Sequence, residues 1–231
     1  MSLFALVHGG AHGGWCWELV APRLEQLGHT VVTPDLPFEE PDAGAQRWAE
    51  TIVEAIDGAT TPDDRDVVVV GHSMSGMALP VVPSLRTVRR LVFLGAMVPV
   101  PGTRYQDYLA TEPGAVIFDP TPRPDDEPGS TGLSWLAARE GFYQDCPDDL
   151  ARAAWERLRT QTQTVFTEVS PIQEWPDVES VYILMTEDQA VGPAWSRRAA
   201  ARIGADVIEL GGGHSPFYSR PDELTEILAG L

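Results

Sequence analysis

Three residues with the chemistry of covalent catalysis fall just past apolar runs at widely separated points of the chain. Ser73 lies in VVVVGHSMSGMALP, residues 67–80, where a β-branched run stops at Gly71 and a helical pattern begins within a few residues. Strand, tight turn and helix make a nucleophile elbow, which pushes a serine hydroxyl clear of the sheet. The usual spacing is G-x-S-x-G; here Ser75 holds the last position and Gly76 follows, a departure of one small residue. A serine alcohol attacks only when a base takes its proton, and the chain offers five histidines. His72 adjoins Ser73 within the bend and must point elsewhere. His29 stands where a helix hands over to a strand and reads as structural, and His8 and His12 belong to the glycine loop VHGGAHGGW. His214, in ELGGGHSPF after the last apolar run, is the expected base. Three glycines let its loop rise above the sheet edge where ligands bind.

An imidazole base needs an acid to fix its tautomer and stabilise the imidazolium. ILMTEDQAVG places Glu187 and Asp188 directly after the fifth apolar run, whereas the fourth ends LGAMVPVPG with no acid before Asp107. Asp188, deeper in the loop, is the expected acid, with Glu187 its neighbouring alternative. The transition state also requires donors toward a developing oxyanion. The backbone N–H of Met74, next after the serine, is one. The other is expected from the glycine loop, where backbone approaches substrate closely, and Gly10 is assigned to it. His8 and His12 form an H-x-x-x-H, but in a glycine turn without the helical H-E-x-x-H glutamate they make a poor zinc site. No metal and no cofactor is expected.

The elements that must position these residues alternate. Apolar runs at 3–7, 30–35, 66–70, 90–96, 180–186 and 205–210 are separated by helical patterns at 15–28, 44–58, 75–86, 193–203 and 221–230. Runs apolar on both faces suit a parallel sheet covered by helices, so the expected class is α/β, doubly wound, with about six strands. Residues 102–172 break the rhythm: no strand pattern appears, and LSWLAAREGFY and PDDLARAAWERLRTQTQTVF read as helices. The expected organisation is a core of residues 1–101 and 173–231 with a helical, aromatic cap over the site. Trp135 and Phe217 are expected to wall the substrate, beside Met74.

Thirty-four acidic against sixteen basic residues give a formal charge of −18, which repels nucleic acid and anionic membranes. All sixteen basic residues are arginine, so lysine Schiff bases, Walker-type phosphate loops and Ser–Lys dyads are excluded. Cys16 and Cys146 lie far apart in sequence and read as separate buried thiols. The N-terminal apolar run LFALV is too short for a signal peptide or membrane span, and a cytoplasmic enzyme is the default expectation. The expected partner is a small-molecule ester, with no nucleic acid and no membrane; a homodimer is compatible with this reading.

VHGGAHGGWCWELVAPRLEQLGHTVVTPDLP, VVVVGHSMSGM, LVFLGAMVPVPG, VYILMTEDQAVG and GGGHSPFYSRPDEL together resemble the α/β-hydrolase superfamily. Within it they look closest to plant methylesterases, hydroxynitrile lyases and their bacterial esterase relatives. The resemblance implies an α/β-hydrolase fold, the nucleophile–acid–base order Ser73, Asp188, His214, and oxyanion donors at Gly10 and Met74. It also implies a gap: the family motif has glycine where this chain has Ser75. Similar hydroxynitrile lyases use a lysine near the catalytic histidine and a threonine in the oxyanion loop. Here Ser215 follows His214, Gly9 stands in the loop, and lysine is absent. The expected activity is therefore hydrolysis of a carboxylic ester through an acyl-enzyme. The alternatives are lyase, lactone or C–C cleavage on the same residues, or a receptor that keeps the fold without the chemistry.

Overall fold

Each apolar run forms a strand in the computed structural model, which describes residues 1–61, 63–121 and 126–231. The strands are β1 (Leu3–Val7), β2 (Thr30–Val32), β3 (Val67–His72), β4 (Arg90–Leu94), β5 (Glu179–Met185) and β6 (Asp206–Leu210). They make one sheet in the order β2-β1-β3-β4-β5-β6, parallel throughout. β2 lies on one side of β1 and β3 on the other, so the order reverses at β1, where open α/β sheets form their binding crevice. The register pairs Val7 with Gly71, His72 with Leu94, and Met185 with Leu210. The loops that follow β1, β3, β4, β5 and β6 thus leave one edge of the sheet side by side.

Successive side chains enter two different cores. Leu3, Ala5, Val7, Val67 and Val69 face one side, while Phe4, Leu6, Val68 and Val70 face the other. Both faces are apolar, so both need helices over them. The first is covered by α2 (Ala45–Ala59), α3 (Val82–Leu85) and α8 (Pro193–Arg202). The second is covered by α1 (Ala21–Gln26), α9 (Pro216–Ser219) and α10 (Pro221–Ala229). On α2, Trp48, Ile52 and Ile56 recur every four residues and are fully buried.

Four elements differ from the periodicity. The helix expected over 15–28 is a 3-10 turn, Gly14–Trp17, followed by the six-residue α1, which begins with Pro22 in its first turn. The other three also have backbone reasons. β2 ends at Val32 rather than residue 35: Pro34 has no N–H for the ladder, and the exposed Asp35 accepts from Gly14 N–H at 2.7 Å. The expected helix 75–86 is instead two 3-10 turns, Ser73–Met77 and Leu79–Val81, followed by the single turn α3. Pro80 and Pro83 deny it the donors of a continuous α-helix. The expected helix over 147–166 splits into α6 (Asp148–Glu156) and α7 (Thr164–Thr167). The run between them, with threonine at 160 and 162, has poor helix propensity.

With α4 (Tyr105–Leu109) and α5 (Trp135–Gly141), these elements fill the connection between β4 and β5. Among the described residues this segment adds no separate core. Tyr105, Val165 and Ile172 join the first core, and Ala138, Tyr143, Trp155 and Leu158 join the second. Cys16 and Cys146 are buried free thiols in that second core, and burial pushes Cys146 up to about 12. Among the described residues no helix is long and apolar enough to cross a membrane. Trp48 packs on Phe38 with ring centres 5.0 Å apart, so Trp48→Ala should lower the unfolding free energy by about 3–5 kcal/mol. Urea denaturation measures it; a loss below about 1 kcal/mol would mean that the α2 layer is not a principal support of the sheet.

Candidate active site

Ser73 has φ +53°, the left-handed region that side chains other than glycine rarely adopt. The surrounding turn imposes it. Met97 N–H donates to Ser73 C=O at 2.9 Å, tying the bend to the end of β4. At Gly76 a Cβ would lie 2.2 Å from Met97 O, so the turn can pass β4 only without a side chain there. Ser75, where the motif has glycine, is fully buried, and its hydroxyl donates to His72 C=O at 2.9 Å with Val7 C=O at 3.3 Å. The extra oxygen is thus satisfied between β1 and β3, and the bend forms with a serine at that position.

Asp188 and His214 meet beside it. His214 Nδ1 lies 2.8 Å from Asp188 Oδ2, and both side chains are 1% exposed. The other carboxylate oxygen, Oδ1, accepts from Ala190 N–H at 2.7 Å and Val191 N–H at 2.9 Å. Because a carboxylate accepts, Nδ1 carries the proton and Nε2 is left with a lone pair. Gly95, just past β4, makes this pair possible. It has φ +48°, and a Cβ on it would approach Asp188 Oδ2 to 3.0 Å and Met185 Cε to 2.3 Å. Ser73 and His214 line one cavity of about 900 Å³ together with Gly10, His12 and Met74. No hydrogen bond joins the serine hydroxyl to the imidazole among the described residues; such contacts often tighten only when substrate is bound.

The loop after β1 is held by two neutral histidines. His8 Nδ1–H donates to Gly9 C=O at 2.9 Å, and His8 Nε2 accepts from Leu36 N–H at 2.9 Å. His12 Nδ1–H donates to Gly10 C=O at 2.7 Å, while its Nε2 accepts from Tyr143 Oη–H at 2.8 Å. Burial lowers His8 to about 4 and His12 to about 3. His72, also driven far down by burial, donates from Nε2 to His214 C=O at 2.8 Å. With its carbonyl-side partners fixed, Gly10 N–H has no acceptor among the described residues. Met74 N–H lies in the first turn of the 3-10 segment, where backbone donors lack an intrahelical acceptor.

The segment between β4 and β5 reaches all of these loops through four consecutive residues. Tyr143 bonds His12, Gln144 Nε2 donates to Glu187 C=O, Asp145 Oδ2 accepts from Gly213 N–H at 2.9 Å, and Cys146 Sγ lies 3.7 Å from Ser215 C=O. These contacts, Gly95 and Gln161 escaped the sequence reading, since none sits in a recognisable motif. The cavity walls also differ from expectation. Phe217 is fully buried under the site, edge-on to the His72 ring at 5.0 Å, and Trp135 packs against Trp155. Neither lines the cavity; the walls are Leu109, Phe118, Phe142, Phe166 and Val191, with Arg159 and Gln161 among the polar members. Phe217, in α9, faces inward against the rings of Trp17 and His72. Trp135 opens α5 on the side that faces Arg152, whose guanidinium lies 4.8 Å from its ring.

Residues 4–227 match the alpha/beta hydrolase family. The chain belongs to that family. Among its relatives, polyneuridine aldehyde esterase from Rauvolfia serpentina is 26% identical over 99% of this chain and 94% of its own. A carbendazim hydrolyzing esterase from Nocardioides is 29% identical, covering all of both chains. The crystal structure of polyneuridine aldehyde esterase superposes with a TM-score of 0.80 at 25% identity, over 100% of this chain and 98% of that one. These relatives fall in the branch that the five sequence motifs resemble.

Two outcomes test the geometry of this hydrolase-family site. Gly95→Ala should destabilise the fold by about 1–3 kcal/mol from the left-handed backbone alone, and it should displace the downfield proton resonance of the Asp188–His214 hydrogen bond. An unmoved resonance would show that Gly95 does not shape the pair. The second concerns acid. An unfolded histidine protonates near 6.5, whereas folded His8 and His12 stay neutral down to about 4 and about 3. Below 6.5 the unfolded chain therefore binds more protons, and stability falls as pH falls until the folded values are reached. Each such histidine adds up to about 1.4 kcal/mol per pH unit to that slope. In His12→Phe the slope between about pH 4.5 and 6 should be shallower by about one proton; an identical slope would mean that His12 is not held neutral.

Proposed function

We propose that this protein hydrolyses a small carboxylic ester by covalent catalysis at Ser73. The observation that carries the reading is the buried Asp188–His214 pair opening on the cavity that also holds Ser73 in its left-handed bend. In this mechanism His214 Nε2 takes the Ser73 proton as Oγ attacks the ester carbonyl. Asp188, fixed by two backbone N–H groups, holds the ring and stabilises the imidazolium. Gly10 N–H and Met74 N–H receive the oxyanion. The tetrahedral intermediate collapses when His214 returns its proton to the leaving alcohol, forming an acyl-Ser73. Water, deprotonated by His214, attacks that acyl group; Ser73 Oγ leaves as His214 reprotonates it, releasing the acid.

The segment 102–172 acts in this reading as the cap that roofs the cavity and sets specificity. Apolar walls of Leu109, Phe118, Phe142, Phe166 and Val191 fit an ester with a compact apolar or aromatic group. The cation among the described cavity residues, Arg159, is committed to Glu39 at 2.6 Å. No free positive charge therefore stands ready to hold a departing cyanide, which favours hydrolysis over lyase chemistry. The named activities of the relatives, esterases of plant and bacterial origin, agree with it.

Ser73→Ala should abolish turnover of short p-nitrophenyl esters and labelling by a fluorophosphonate, with the circular dichroism spectrum unchanged. A purified variant that still turned over at the wild-type rate would exclude Ser73 as nucleophile. Wild-type protein that neither labels nor hydrolyses any ester of a broad acyl and alcohol panel would instead favour the receptor reading.

A further inference from the structure

Gln161 sits in the non-helical run between α6 and α7 and lines the cavity beside Gly10 and Met74. Its Oε1 accepts from Ala11 N–H at 2.7 Å. A backbone N–H can only donate, so this bond fixes which end of the side-chain amide is oxygen. The same peptide unit is held from its other end by His12 at Gly10 C=O, and Ala11 has φ +59°, a left-handed residue that needs such restraint. The amide is therefore neither free to flip nor free to swing.

Its nitrogen is then committed in direction and hardly used. Nε2 has one partner among the described residues, the Met74 thioether sulfur at 3.7 Å, a weak acceptor. The amide crowds Gly10: a Cβ at that position would stand 3.0 Å from Oε1 and 3.4 Å from Nε2. Glycine there leaves room for the carboxamide against the backbone that carries the open Gly10 N–H. A fixed, nearly unspent donor thus lies between the two residues assigned as oxyanion donors, and it comes from the cap rather than from the sheet.

We propose that Gln161 Nε2 is a third donor to the substrate's acyl oxygen, acting with Gly10 N–H and Met74 N–H as that oxygen becomes an oxyanion. This rests on the ester-hydrolase reading above. Its consequence is that the hole is completed by the cap, so that correct docking of the cap is needed for full rate and not only for specificity.

Two variants separate the roles of the two amide atoms. Gln161→Met keeps the bulk but removes both hydrogen bonds; Gln161→Glu keeps the acceptor for Ala11 N–H and removes the donor at neutral pH. With p-nitrophenyl butyrate, kcat and kcat/KM should fall together by about tenfold or more in both variants, within the range seen when an oxyanion donor is lost. KM should stay within about threefold, and inhibition by a trifluoromethyl ketone should weaken in parallel. A Gln161→Glu enzyme within about twofold of wild type in kcat would overturn the proposal, because only the clamp on Ala11 would then matter. So would wild-type kcat in Gln161→Met, or a change confined to KM. Thermal unfolding of both variants distinguishes a chemical defect from misfolding. Fluorophosphonate labelling of the wild type reports on Ser73 separately, so failure of the hydrolase reading is not confused with failure of this one.

Discussion

A single backbone constraint organises the site: a serine held at φ +53° between the end of β3 and a turn that must clear β4. Such a conformation costs of order 1–3 kcal/mol and persists only where its surroundings leave no alternative. Here they are the Met97 hydrogen bond to Ser73 C=O, the missing Cβ at Gly76, and the Ser75 hydroxyl bonded back to β3. All of them depend on the parallel register of β1, β3 and β4. The sheet is therefore the jig that holds one residue in a shape it would not take alone.

Around that bend the electrostatics are arranged by burial. Three histidines are kept neutral by burial, and each donates one ring N–H to a backbone carbonyl, His8 to Gly9, His12 to Gly10 and His72 to His214, which ties neighbouring loops together. His214 is distinguished from them by its partner: its Nδ1 meets a buried carboxylate at 2.8 Å, where the others donate to neutral carbonyls. The imidazoles around the site thus divide by environment: His8, His12 and His72 tie loops, and His214 is placed for proton transfer in the proposed mechanism.

Much of this was legible in the sequence, and the parts that were not share a cause. The strands, their parallel order and the loops bearing Ser73, Asp188 and His214 follow from apolar runs and local punctuation, which a linear string records. Over 75–86 the apolar pattern reads as a helix, but Pro80 and Pro83, equally visible in the string, break it into short turns. Gly95 looked like an ordinary strand end; its role depends on Asp188 and His214, ninety and more residues away. Gln161, Tyr143 and Asp145 likewise matter through contacts with partners distant along the chain. Phe217 and Trp135 are in the string as large rings, but which way a large ring faces is decided by the packing around it.

The four tethers from Tyr143 to Cys146 bear on how new specificities could arise. Because they grip the loops that carry the proposed base, acid and oxyanion donor at once, a wholesale graft of another relative's segment between β4 and β5 would also unfasten those loops. Variation that leaves those anchorage points alone, in the rings of Phe118 and Phe166 and the chain around them, meets no such obstacle. Evolution and protein engineers alike are thereby steered toward repainting the ceiling rather than replacing it.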